Sequence, residues 1–138
     1  MIRKLLYTAI LACVLTVISC EKMPESPAAA VKQMSEELDV AAADNDLDAV
    51  SEINMKYARY LENLDFDDQL EFINLTEHEE TSAEWKRFAA LYQNRLMKLE
   101  GVAKYLRVWD KIYKEKLTKE SKDERKRIED EQSKLKNK

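Results

Sequence analysis

The chain has 138 residues, a length that suits one domain, with 36% charged and 45% hydrophobic residues and a formal net charge of −4. It holds one glycine, two prolines and two cysteines, too few turn-formers for a strand-and-turn β architecture and too few glycines for a phosphate-cradling loop. A composition dominated by Leu, Ala, Lys and Glu reads as helical, and the expected fold class is all-α.

The first residues read as a targeting segment rather than as part of the fold. Arg3 and Lys4 give a positive start, and Leu5 to Ile18 is an uncharged, mainly apolar run of 14 residues. As a helix this run reaches about 21 Å, short of the roughly 30 Å hydrocarbon core of a bilayer, so an export signal fits better than a permanent span. The run ends in Val17-Ile18-Ser19-Cys20. This tetrapeptide resembles the lipobox of bacterial lipoprotein precursors. The resemblance implies that the thiol of Cys20 receives a diacylglycerol, that a dedicated peptidase cuts before Cys20, and that the new amine is acylated, with palmitate among the fatty acids expected. Residues 1–19 would then be a signal peptide, and the partner implied is a membrane, held through lipid on Cys20. Cys13 would leave with the signal, so the mature chain would have a lone cysteine and no intramolecular disulfide. Two acyl chains anchor stably where one anchors marginally. The Lys-Glu-rich start Cys20-Glu21-Lys22-Met23-Pro24-Glu25 loosely resembles surface-export signals of Bacteroidetes lipoproteins. Asp after the cysteine, the inner-membrane retention signal of enteric bacteria, is absent. The resemblance leaves open the cell membrane or the outer membrane, and the periplasmic face or the cell surface.

Residues 20–27 form a short lipidated linker containing both prolines, and residues 28–117 are the expected helical domain. A first helix is predicted over Ala28 to Ala43, capped by Ser26 with Pro27 in the first turn and a stripe of Val31, Met34, Leu38 and Ala41. A second runs from about Asp46 to Leu64, with Leu47, Val50, Ile53, Tyr57, Tyr60 or Leu61, and Leu64 on one face. A third, from about Asp67 to Leu75, sets Phe66, Leu70 and Ile73 on one side. Thr81 and Glu84 then have capping-box spacing, and Trp85, Phe88, Tyr92, Leu96, Leu99, Ala103, Leu106, Trp109, Tyr113 and Leu117 follow at steps of three or four. That stripe predicts one long helix running through Gly101, closely packed or slightly bent there. The architecture expected is a small bundle of three shorter helices on one long C-terminal helix. The stripe would also suit a coiled-coil partner, but the three earlier amphipathic segments need a surface to pack on, so a monomer is expected. Residues 118–138, with eight basic and six acidic residues, form a charged extension that is either helical in solvent or frayed.

Charge divides unevenly. Glu21 to Glu84 holds 18 acidic and 4 basic residues, whereas Trp85 to Lys138 holds 9 acidic and 17 basic. The acidic half is expected to fold against the basic long helix, and opposed fields of this kind favour antiparallel packing. The apolar stripe beside that acidic half argues against nucleic acid as a partner.

Signals for chemistry are sparse, and no catalytic role, metal or cofactor is expected. His78, the only histidine, reads as a solvated loop residue. Asp44, Asp46, Asp48 and Glu52 resemble the start of an EF-hand loop, but position six is Ala49 and position twelve is Met55 where glycine and a bidentate Glu are needed. They read better as acidic residues at a helix N-terminus, as do Asp65, Asp67 and Asp68. The aromatic row is the better lead: Trp85, Tyr92, Trp109 and Tyr113 are the candidate partner surface if part of the row stays exposed. The function expected is that of a membrane-anchored envelope lipoprotein with a non-catalytic binding or structural role, with an envelope protein as a candidate partner. The alternatives are an immunity, exclusion or inhibitor lipoprotein acting on a protein partner, and an accessory solute-binding module.

Overall fold

The computed structural model describes residues 23–137. The leader, the lipobox, Cys20 and the first linker residues lie outside the described residues. Within them the chain is all-α, and its elements are α1 (Pro27–Ala43), α2 (Leu47–Glu62), α3 (Phe66–Glu77), α4 (Ala83–Leu91), α5 (Gln93–Leu96) and α6 (Glu100–Lys136). No described helix is long and apolar enough to cross a membrane.

Local chemistry sets most of the helix ends. The Ser26 hydroxyl accepts from the Ala29 N–H at 3.2 Å, and Pro27 occupies the first turn, where its missing N–H costs nothing. α1 stops in a Schellman turn: Asn45 takes a left-handed φ of 52°, its N–H donates to Ala42 O (3.1 Å), and the Asp46 N–H donates to Ala41 O (2.9 Å). Asparagine tolerates that conformation better than most residues. Asp46 then caps α2 by accepting from Ala49 N–H at 3.0 Å, and Asp65 caps α3 by accepting from Asp68 N–H at 2.9 Å. The acidic run at residues 44–48 is therefore a helix–turn–helix connection, with Asp46 engaged in the cap.

The long helix departs from expectation in three ways. Its apolar stripe is split over α4, α5 and α6, with breaks at Tyr92 and at Met97–Leu99, where Leu99 is extended (φ −67°, ψ 130°). Nor does the expected stripe mark the buried face of α6: Leu106 and Leu117 are exposed, and the residues turned inward are Gly101, Tyr105, Val108 and Ile112, a face rotated by about one residue because the helix restarts at Glu100. The cap of α4 is Ser82, not Thr81: its hydroxyl accepts from Trp85 N–H at 3.0 Å and donates to Asp39 at 2.6 Å. Gly101 is not mid-helix but near the start of α6, where it crosses α2. It is buried, and a Cβ there would lie 1.7 Å from Ser51 O, a backbone atom. The Gly101 N–H donates to Ser51 Oγ at 2.9 Å. Leu99 supplies no side-chain cap, so a serine from the crossing helix satisfies one of the free N–H groups at the start of α6.

The core has two parts. One gathers Ala30, Val31 and Met34 of α1, Tyr57, Ala58 and Leu61 of α2, Phe72 and Ile73 of α3, and Tyr105, Val108 and Ile112 of α6. The other gathers Ala41, Ala42, Val50 and Phe88, backed by Trp85, Tyr92, Leu96 and Val102. α2 lies along α6 more extensively than any other pair of helices meets, so the acidic and basic halves do pack together, with Lys104 and Glu62 paired at 3.0 Å. The direction differs from the antiparallel expectation. Ser51 near the start of α2 meets Gly101 near the start of α6, and Tyr57 to Leu61 share a cluster with Val108 and Ile112. The two helices run the same general way, because α3, α4 and α5 return the chain before α6 begins. From Leu117 onward every described residue is exposed, yet the helix continues to Lys136. This arm adds about 30 Å to the length of α6.

Candidate functional site

The candidate partner residues do not form one surface. Trp85 and Tyr92 flank Phe88, with ring centroids at 5.4 and 4.9 Å, and all three belong to the smaller core cluster. Trp109 and Tyr113 lie on α6 and stack on each other at 5.2 Å, with Trp109 packed against the larger cluster. Each of the four is half-buried. The break between α4 and α6 puts the two pairs on different helices.

One of them, Trp85, lines a groove of about 370 Å³ that the sequence pattern did not disclose. α1 supplies Met34 and Leu38 to its wall, α5 and the turn after it supply Leu96 and Met97, and α6 supplies Val102 and Leu106. The wall is mainly apolar, and the volume falls in the range of small-molecule pockets.

The polar lining comes from α1 (Ser35, Asp39), from α2 (Asn54) and from the end of α3 with the turn after it. Thr76 lies in the last turn of α3, and Glu79 and Glu80 follow it; the Glu79 N–H reaches back to Thr76 O at 3.4 Å. Tyr105 comes from α6. It is 8% exposed, and its hydroxyl is buried without a hydrogen-bond partner among the described residues. Burial pushes its phenol up to about 12, and nearby Thr76 pulls weakly the other way. The Thr76 hydroxyl itself donates to Phe72 O at 2.8 Å. A buried polar group left unpaired costs about 1–3 kcal/mol, and a native structure that keeps one calls for a reason. Asp39 also lines the groove, bonded to Ser82, two residues beyond Glu80. Among the described residues no lysine, arginine or histidine lines the groove.

His78 caps the end of α3, with Nδ1 at 2.7 Å from Asn74 O, and is exposed. Among the described residues no group of three or more His, Cys, Asp or Glu side chains converges as a metal site would require. Cys20, the lipidation candidate, lies outside the described residues. Comparison with known proteins found no matching family model, no matching curated protein and no matching solved structure.

Proposed function

We propose that this chain is a cell-envelope lipoprotein: cut before Cys20, held on a membrane through lipid on that residue, and presenting a helical domain with a non-catalytic binding role. The anchor rests on the lipobox-like Val17-Ile18-Ser19-Cys20 behind a basic start and a short apolar run. The binding role rests on one observation, the mainly apolar groove lined from α1, α4, α5 and α6. That observation favours the accessory binding module among the alternatives. The short stretch from Cys20 to the Ser26 cap would keep the groove near the bilayer surface, since seven extended residues reach at most about 25 Å.

The test of the anchor is metabolic labelling with an alkyne fatty acid. Wild type is expected to take up label, and Cys20→Ser to remain uncleaved and unlabelled; equal labelling of both would overturn the assignment.

A second reading is favoured by the arm of α6. Twenty exposed helical residues of mixed charge are soluble and offer exchangeable polar contacts to a protein partner, as an immunity, exclusion or inhibitor lipoprotein needs. A chain cut after Leu117 should lose such a partner in a pull-down while keeping its fold.

A further inference from the structure

The groove carries more information than its shape. Its apolar walls come from Met34, Leu38, Trp85, Leu96, Val102 and Leu106, so the body of an occupant must be apolar. Among the described residues its charged lining is of one sign: Asp39, Glu79 and Glu80. An anionic head group entering here would meet like charge at short range, whereas a cationic one would be drawn to the mouth. Tyr105 lines the groove while its hydroxyl has no accessible surface, so what it offers an occupant is its ring. Glu79 and Glu80 are both exposed, so a cationic head held there stays at the solvent edge while its apolar body enters the groove.

We propose that the groove binds an amphipathic amine: an apolar chain lying between Met34, Leu38, Trp85 and Val102, ending in a primary ammonium that faces Glu79 and Glu80. Asp39 is engaged with Ser82 and sets the sign of the field at the mouth. The ligand class rests on the binding role proposed above. The membrane anchor is not needed for it.

The experiment uses the two tryptophans of the chain, Trp85 and Trp109. In Trp109→Phe the groove tryptophan is the sole reporter. The full chain, in phosphatidylcholine nanodiscs and referenced to empty nanodiscs, is titrated with decylamine, decanol and decanoate, three probes that differ only in their heads. Calorimetric titration of the unsubstituted chain repeats the series without any variant. Decylamine is expected to shift Trp85 emission saturably, with at least tenfold higher affinity than decanol; decanoate should not saturate. Glu79→Gln with Glu80→Gln should abolish the tenfold preference and leave decanol binding unchanged. Equal binding of all three probes, or tighter binding of decanoate, would overturn the ammonium assignment while leaving the groove a binding site. Failure of every probe to saturate in both formats would overturn the groove itself and, with it, the binding role.

Discussion

From Glu100 to Lys116, helix α6 buries Gly101, Tyr105, Val108 and Ile112 at steps of three or four against α2 and its neighbours. From Leu117 to Lys136 no residue of the same unbroken helix is buried, and Lys119 near its start reaches only the ring of Phe66, at 5.5 Å. The two regions have similar backbone geometry and different reasons for it. The first is helical because its stripe has a partner surface. The second has Arg127 paired with Glu124 (2.6 Å) and Glu131 (2.8 Å) on its own surface, and exposed pairs of this spacing contribute only a few tenths of a kcal/mol each. Helicity alone therefore does not reveal where the folding energy lies. Large effects should come from the first region and almost none from the second.

The largest effect is expected at Gly101. A Cβ at 1.7 Å from Ser51 O forces two backbones apart, and strain of this kind sits at the top of the overpacking range, at about 3 kcal/mol or more. Thermal melting of Gly101→Ala should show it; an unchanged melting temperature would mean that α6 does not cross α2 at this point. Next comes a matched pair on one helix. Ile112 is 3% exposed and Ile128 is 43% exposed. Ile112→Ala should cost about 2–4 kcal/mol in urea unfolding and Ile128→Ala less than about 0.5 kcal/mol. Equal costs would erase the distinction between the two regions.

The third prediction uses pH. Tyr105 in the folded chain ionises near 12, against 10.0 for an ordinary tyrosine, chiefly because it is buried. The folded state holds that proton more tightly than the unfolded state. Its contribution is fully present below pH 10 and is lost as pH rises from 10 to about 12, a loss of roughly 2–3 kcal/mol for a fully buried group. Stability of Tyr105→Phe should fall less steeply over that window. In the arm, the paired charges hold Glu124 below and Arg127 above their usual ranges, but both are fully exposed; added salt should leave the melting temperature alone. The smallest effect is expected from truncation after Leu117, which should move the melting temperature by less than about 4 °C. A drop of ten degrees or so would show that the arm folds back onto the bundle.

What the sequence disclosed follows the same division between local and distant causes. Ser26 with Pro27, Asp46 and Asp65 are caps whose partners lie three residues away, so α1, α2 and α3 were legible to within a few residues. Thr81 and Ser82 are both competent caps; the spacing to Glu84 pointed to Thr81, and the tertiary bond from Ser82 to Asp39 decided otherwise. The breaks at Tyr92 and Met97–Leu99 were hidden because the apolar repeat runs through them in phase. The meaning of Gly101 was hidden because its partner, Ser51, lies 50 residues away. The parallel course of α2 and α6 was masked by a charge argument that took no account of the three short helices between them. The groove was illegible for a related reason: Tyr105 falls on α6 among core residues, and nothing in the order of residues shows that its hydroxyl would go without a partner.

The continuity of α6 has a consequence for how its outer turns come to exist. Starting a helix in water is unfavourable, because the first turn fixes several residues for a single hydrogen bond, whereas each later residue adds one bond at small cost. The bundle supplies that first turn at Glu100–Lys116, and the arm only has to propagate it. Segment 117–136, cut free as a peptide, would have to nucleate by itself and should be mostly coil. Attached, it should unzip from the Lys136 end inward, so amide exchange should slow residue by residue toward Leu117 and drop sharply where Tyr113 and Ile112 enter the core. The outer half of α6 is thus ordered on loan from the inner half, and any substitution that frees α6 from α2 should dissolve the arm as well, though it touches nothing there.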